Sequence, residues 1–252
     1  MPHHSPLTTH HLIKRLMKKI LSALVFSVLV ISASAQQIND PNVEVRPLTG
    51  FNSIKISNAI DLYLSQGDED AVAVSAEKVA WRSHIKTSVQ GGVLKISYEN
   101  TGDGFKMGNR KLKAYVSVKN LESLHASGAC DVIVKGTLTG GDVRIEMNGA
   151  SDFKGSVDFK SLDLKLNGAS DANITGKVVT LKVDANGASD LKGYELEADS
   201  CTAEASGASD IKITVNKELS ARASGASGVY YKGSGVIRDI KSSGASSISK
   251  KG

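Results

Sequence analysis

Apolar and polar side chains alternate one by one along most of the chain beyond residue 40. Leu162–Asn167 and Leu181–Asn186 are two such runs, with leucine, valine or alanine at every second position. A period of two is typical of a β-strand that buries one face and exposes the other. A second short apolar stretch, such as Val132–Val134, then precedes a turn former. The pattern predicts an all-β protein.

A five-residue phrase centred on glycine recurs between these stretches. Alanine always follows the glycine, and successive glycines lie 18 to 21 residues apart. Two short strands in so small a unit cannot enclose a core, but units stacked as coils can. The sequence therefore predicts a parallel β-helix or closely related β-solenoid with coils of about 19 residues. The seven copies are Ser127–Asp131, Asn148–Asp152, Asn167–Asp171, Asn186–Asp190, Ser206–Asp210, Ser224–Gly228 and Ser243–Ser247.

Aligning the copies on the glycine produces chemically uniform columns. The position four before it is apolar in every copy, and the position three before it is mostly charged, as in Glu146, Lys165 and Asp184. Asparagine or serine stands directly before the glycine. With strands about 4.8 Å apart, these columns predict an inward apolar row, neighbouring opposite charges and a hydrogen-bonded polar row.

The chain divides into two sections of different regularity. Residues 36–120 are predicted to form a less regular N-terminal β section, and residues 121–252 the repeated solenoid. Asn58–Asp61 is similar to a degenerate copy of the phrase, and residues 100–110, with three glycines, are expected to form a mobile loop or boundary. The strands predicted in the first section are Phe51–Ser57, Ile60–Leu64, Ala71–Val74 and Val93–Tyr98.

Residues 1–35 have the features of a signal peptide. Two lysines after Met17, the apolar run Ile20–Ile31 and the small residues Ala33–Ala35 predict a start at Met17 and cleavage after Ala35. Residues 1–16 precede that start and are excluded from functional argument. The apolar run is shorter than the roughly 20 residues of a membrane-spanning helix. We therefore expect an exported protein of the periplasm, outer-membrane surface or extracellular space, with no integral membrane segment after cleavage.

Charge adds little to the case for a partner. The sequence carries 31 basic and 26 acidic residues, and residues 1–35 contain four of the basic ones and none of the acidic ones. The remainder is close to neutral, so we expect no nucleic-acid partner.

Several segments outside the strict repeat carry a family resemblance. They are Phe51–Ile56, Asp61–Gly67, Gly92–Ile96 and the closing Gly228–Gly233. Together with the Gly-Ala-Ser-Asp coils, over roughly residues 48–240, they resemble the auto-transporter adhesin "head GIN" domain family of exported Bacteroidetes-type proteins. The resemblance implies a β-helical architecture and an adhesive role at the surface or in the periplasm, with no catalytic residues to carry over. The chain departs from the family in its very uniform repeats and in Ile60, where the family phrase has asparagine.

The aspartate that ends the phrase is the sharpest candidate site. Stacked carboxylates repel each other unless hydrogen bonds or a cation compensate. Our main expectation is that each carboxylate accepts backbone N–H bonds at its own corner, as in Asx-turns. A calcium site is the alternative, since calcium prefers oxygen ligands; no other cofactor is indicated. The column comprises Asp131, Asp152, Asp171, Asp190 and Asp210.

Other candidate groups are weaker. Nucleophilic catalysis needs one activated residue beside a base, and a row of equivalent residues does not indicate a hydrolase. This argument applies to the repeated serines Ser151, Ser170, Ser189 and Ser209. Cys130 and Cys201 fall in different columns, three to four coils apart, too far for a disulfide.

Aromatic residues offer one further possibility for ligand contact. Tyr230 and Tyr231 with Trp81 could form a sugar-stacking patch, although paired tyrosines near the end of a stack more often cover its core.

These observations favour a non-enzymatic, exported binding or adhesion module. A cell-surface glycan or an envelope protein is the expected partner, and the oligomeric state is left open. A structural component of the cell envelope and, less favoured, a polysaccharide-processing β-helix enzyme are the alternatives. Uniform columns on every face would favour the structural role, and a groove with clustered, non-repeating carboxylates would favour the enzyme.

Overall fold

The structure, a computed structural model, describes residues 40–99 and 110–252. The predicted signal peptide and most of the loop predicted over residues 100–110 lie outside these ranges. The elements in chain order are β1 (Glu44–Arg46), β2 (Ser53–Ser57), β3 (Asp61–Gln66), β4 (Ala71–Ser75), α1 (Val79–Arg82), β5 (Ile85–Gln90), β6 (Val93–Tyr98), β7 (Lys113–Val118), β8 (Ser123–Gly128), β9 (Asp131–Gly149), β10 (Asp152–Gly168), β11 (Asp171–Gly187), β12 (Asp190–Gly207), β13 (Asp210–Gly225), β14 (Gly228–Lys232), β15 (Val236–Gly244) and β16 (Ser247–Lys250).

The regular part is a parallel β-solenoid, which confirms the predicted fold class. Each of the strands β9 to β13 extends from the aspartate of one corner to the glycine of the next, so one strand makes nearly a whole coil. Neighbouring coils pair in parallel with the repeat in register: Gly149 lies beside Gly168, and Gly168 beside Gly187. The period of the sequence is therefore the period of the stack.

Alternation along each coil places the apolar side chains inside. In β10 the buried residues fall into three short groups, namely Phe153, then Val157 with Phe159, then the three leucines of residues 162–166. Register aligns each group with its equivalents, and the buried residues form one continuous core. Full burial of a side chain of this size contributes about 1.5–3 kcal/mol, so repetition supplies stability that one coil lacks.

Glycine is required at the corner because the coils approach closely there. Gly168 has a φ of +87°, and a Cβ atom on it would lie 2.5 Å from the carbonyl oxygen of Gly149. That same oxygen accepts a hydrogen bond from the N–H of Ala169 at 2.7 Å. The contact recurs from coil to coil, which explains why the phrase is so uniform.

The N-terminal section belongs to the same stack, but its coils lie out of chain order. The coil of β2 and β3 comes first in sequence, yet β2 pairs with both β6 and β8, and β3 with both β7 and β9. The coil of β6 and β7 therefore stacks on one side of the β2–β3 coil and forms the N-terminal end. The chain then crosses back, and β8 and β9 continue the stack on the opposite side of the β2–β3 coil. Residues 40–118 therefore extend the solenoid core as well as covering its end.

Antiparallel strands and a short helix close the N-terminal end. β4 pairs antiparallel with β7, β1 with β4, and β5 with β6. The four strands predicted in this section are present within a few residues of their expected bounds. The strands β1, β5 and β7 and the helix α1 were not predicted; β1 and α1, of three and four residues, are too short to carry a periodic signal.

Candidate functional site

The structure brings all five predicted aspartates into one column on the outside of the coils. Asp152 is in register with Asp131, Asp190 with Asp171, and Asp210 with Asp190. The pairing of β3 with β9 adds Asp61 to this column. The degenerate phrase at Asn58–Asp61 is the sequence signal for this additional member.

Hydrogen bonds link the aspartates of successive coils. The backbone N–H of Asp171 donates to Oδ1 of Asp152 at 3.4 Å, and Asp190 and Asp210 repeat the contact with the preceding aspartate at 3.3 and 3.1 Å. The donor N–H in these contacts belongs to the next coil. The predicted Asx-turn contact would instead use an N–H of the aspartate's own corner. Lys192 Nζ also lies 3.0 Å from Oδ2 of Asp171. The described residues contain no group of three or more His, Cys, Asp or Glu side chains arranged to hold a metal ion, and the calcium site stays a prediction.

Two aspartates at the N-terminal end of the column have perturbed acidities. Burial, followed by the negative charge of Asp131, raises the pKa of Asp61 above 3.8. Burial and the charge of Asp152 raise the pKa of Asp131 in the same way. The carboxylates therefore repel one another at this end of the column, while the hydrogen bonds between coils offset part of that cost.

A second outward column runs beside the aspartates, two residues further along each strand. We call the two columns together the Asp face. Lys154, Asn173 and Lys192 are exposed in the middle of this second column. Its order along the stack is Tyr115, Tyr63, Ile133, Lys154, Asn173, Lys192, Lys212, Tyr230 and Ser249.

Tyrosines stand near both ends of the Asp face. The rings of Tyr63 and Tyr115 are stacked with their centroids 5.1 Å apart, and Lys135 lies over the Tyr63 ring. At the other end, Lys251 Nζ is 4.7 Å from the centroid of the Tyr230 ring, and Lys232 Nζ is 4.8 Å from that of Tyr194. The face thus combines carboxylates, ammonium groups and half-buried aromatic rings.

The predicted patch of three aromatic residues does not form. Tyr230 faces outward whereas Tyr231 is buried in the core, because consecutive residues of a strand point to opposite sides. Trp81 lies in α1 at the opposite end of the stack. Tyr231 is a core residue near this end of the stack, between Ile213 and Lys250 of the neighbouring strands.

The repeated serines are buried structural groups. Ser170 Oγ donates to the carbonyl oxygen of Asn167 at 3.0 Å and accepts the backbone N–H of Ser151 at 3.4 Å. Ser189 repeats both contacts one coil further on. Cys130 occupies the equivalent position in an earlier coil, and its Sγ lies 3.4 Å from the carbonyl oxygen of Ser127. The serine hydroxyl groups therefore provide hydrogen-bond partners for buried backbone N–H and C=O groups at the corner. They are not exposed as nucleophiles.

The remaining outer columns are also paired from coil to coil. Asn167 Nδ2 donates to Oδ1 of Asn148 at 2.9 Å, and Asn186 Nδ2 to Oδ1 of Asn167 at 3.2 Å. In the predicted charge column, three residues before the glycine, Arg222 lies 2.9 Å from Glu204 of the neighbouring coil. The predicted polar and charged columns are present.

The two cysteines remain free. Cys130 and Cys201 are both buried, and no disulfide joins them. Burial raises the pKa of the Cys201 thiol to about 12, so this cysteine is an inert packing residue.

The fold and its repeated surface define a class of protein: a parallel β-solenoid whose side chains are organised in columns. In the described ranges, no helix is long and apolar enough to cross a membrane.

The chain belongs to the family described as "Putative auto-transporter adhesin, head GIN domain", whose model matches residues 50–235. The match agrees closely with the resemblance derived over residues 48–240. No curated protein matches the chain with significance.

Solved structures of other proteins share the fold. One titled a putative adhesin from Bacteroides fragilis aligns with a TM-score of 0.73 and 19% identity over 84% of this chain and 98% of its own. One titled a putative lipid binding protein from Parabacteroides distasonis has a TM-score of 0.64 and 20% identity over the same shares. One titled a putative adhesin from Parabacteroides merdae has a TM-score of 0.65 and 16% identity, again over 84% and 98%. At these identities the likeness concerns the fold.

Proposed function

We propose that this protein is an exported, non-enzymatic adhesion module that binds an extended partner along the Asp face. The observation that carries this proposal is the exposed middle of the face, where Lys154, Asn173 and Lys192 stand between ends that bear tyrosines. The family description supports adhesion, and the repeated serines and carboxylates support the absence of catalysis.

A glycan chain is the partner that fits this chemistry best. Lysine, asparagine and aspartate side chains donate to and accept from sugar hydroxyl groups, and tyrosine rings pack against the apolar faces of sugar rings. The column from Tyr63 to Tyr230 spans six coil spacings, or roughly 29 Å. A face of that length suits an extended chain of several sugars at the outer membrane or cell surface.

The test measures binding of the exported protein to a panel of soluble bacterial and host glycans. The double variant Lys154→Ala/Lys192→Ala should weaken binding at least tenfold. The control Lys160→Ala/Lys177→Ala removes the same charge from exposed lysines on other faces and should leave binding unchanged. Equal loss in both variants would indicate attraction by net charge and contradict the Asp face as the site.

An envelope-protein partner and a structural role give different results. Envelope preparations from which the glycans have been removed can be tested for binding of the protein. If they still bind it, and if this binding also depends on Lys154 and Lys192, the ligand is a protein. The uniform asparagine and charge columns on the other faces favour a structural component of the envelope. That role would be indicated if the protein bound neither glycans nor envelope proteins and yet its loss altered the integrity of the envelope.

A further inference from the structure

The C-terminal end of the stack presents apolar side chains to solvent. Val236 is 59% exposed, Ile237 45% and Ile240 39%. Ile237 is in register with Leu219 and Ile240 with Ala221, both of which are buried core residues. These two isoleucines therefore occupy core-facing positions in a coil that nothing covers in the described structure.

The same end carries a strand edge with hydrogen-bonding capacity. Among the described strands, β15 pairs with β13 alone. Its other side leaves a row of N–H and C=O groups that can pair with a further strand. An apolar surface beside such an edge is the combination used when strands add across molecules.

The edge strand β1 at the N-terminal end differs from β15 in its core-facing side chains. In β1, Glu44 and Arg46 lie on the core-facing side, opposite Val74 and Val72. Their side chains form an ion pair at 2.7 Å, which Arg82 of α1 joins at 2.8 Å from Glu44. Inward-pointing charges on a short edge strand are a recognised obstacle to edge-to-edge pairing. The edge of β1 is therefore protected in a way that the edge of β15 is not.

We propose that the C-terminal end is a self-association surface, on which β15 pairs antiparallel with β15 of a second copy across a two-fold axis. Two identical strands related by such an axis necessarily run antiparallel, and because this contact uses the β15 edge of both copies it closes at a dimer instead of growing into a fibre.

Charge and apolar pattern agree in one register of this pairing. When Ile240 lies opposite Ile240 of the second copy, Asp239 faces Lys241 of that copy, and Lys241 faces its Asp239. Directly opposite residues of antiparallel strands share a face, so the two core-facing isoleucines meet while the two charge pairs form outside. The surface is complementary to itself, which identifies a second copy as the occupant.

We expect a weak dimer. One edge strand and three apolar side chains form an interface below the roughly 1,200 Å² of standard stable complexes. The full chain, expressed in a host that exports it, should show in sedimentation velocity a monomer–dimer equilibrium in the micromolar to near-millimolar range, with no larger species. A single monomeric species over this range, or continuing growth beyond the dimer, would overturn the proposal.

Two variants localise the contact. Ile237→Lys/Ile240→Lys should weaken dimerisation at least tenfold while leaving the circular dichroism spectrum unchanged, since both side chains are already exposed. Val45→Lys alters a 72% exposed apolar residue of β1 at the other end and should not affect the dimer. Loss of the dimer in Val45→Lys, or its retention in the double variant, would contradict the proposed surface.

A cross-link tests the register. Cysteine at position 240 would lie beside its symmetry mate at a separation suited to a disulfide, because opposed strand residues are about 4.5–5.5 Å apart. Ile240→Cys should form a covalent dimer under mild oxidation, and Val45→Cys should not. Absence of the cross-link in a variant that still dimerises would exclude this register and therefore the proposed pairing.

Discussion

The corner at Asn58–Asp61 and the corners of the regular stack turn the chain with different residues. In the first corner Asn58 and Ala59 both adopt positive φ, of 70° and 56°. In a regular corner only the glycine does so, as at Gly168. A Cβ on Gly168 would meet the Gly149 oxygen at 2.5 Å, whereas one on Gly128 would meet nothing nearer than the Asn58 nitrogen at 3.5 Å.

This difference shows that the neighbouring coil, and not the dihedral angle alone, maintains glycine in the repeat. Where the neighbour turns in the same way, the two backbones touch and no side chain fits. Where the neighbour turns differently, as at Gly128, the spacing relaxes and only the positive φ still favours glycine. The repeat is therefore uniform because it packs against itself.

Substitution of the central glycines should give the largest contrast between the two regions. Gly168→Ala combines a left-handed alanine with a backbone clash and should cost about 3 kcal/mol or more. Gly128→Ala incurs only the conformational cost of about 1–2 kcal/mol. Urea unfolding of both variants measures the difference, and equal losses would mean that coil contact does not matter.

The serine column should show a smaller contrast. Ser170→Ala leaves the Ser151 N–H and the Asn167 carbonyl without their hydroxyl partner, at a cost of about 1–3 kcal/mol. Cys130→Ser introduces the regular residue at the position next to the N-terminal coil and should change stability by less than about 0.5 kcal/mol. Chemical denaturation compares the two, and a tolerated Ser170→Ala would show that the buried hydroxyl is dispensable.

Asp61 should respond to pH in a way that reports its burial and the repulsion by Asp131. Its pKa is raised in the folded state, so the folded protein binds the proton more readily than the unfolded chain, and stability rises as pH falls from neutrality through that pKa. Asp61→Asn keeps an oxygen acceptor and should stabilise the protein at pH 7 by about 0.2–1 kcal/mol.

Thermal unfolding at several pH values provides the measurement for this prediction. The variant should also lose part of the stabilisation on mild acidification. A loss of stability at pH 7 would show that the carboxylate hydrogen bond outweighs the repulsion.

Calcium should have the smallest effect, because the column already uses carboxylate oxygens as acceptors between coils. We expect millimolar calcium to leave the melting temperature unchanged in calorimetry. A calcium-dependent rise that Asp171→Asn and Asp190→Asn abolish would instead establish the metal site and make adhesion calcium-dependent.

Much of the candidate site could be predicted because it repeats. Glycine spacing places Asp152 beside Asp171 once the coils are known to stack, and the same spacing predicts the asparagine and charge columns. The second column of the Asp face is harder to predict, since Tyr63, Lys154 and Tyr230 share no residue type. Only their equal distance from the corner brings them together.

The sequence by itself determined the solenoid, its coil length, the inward row and the family, because each is a local pattern repeated along the chain. Tertiary structure alone decided the order of the coils in residues 40–118, the charged closure of the N-terminal end and the exposure of Ile237 and Ile240. Those features depend on which segment lies beside which, and pairing between distant strands leaves no period in the sequence. Periodic packing can be predicted from the chain, whereas the ends of the stack require the assembled structure.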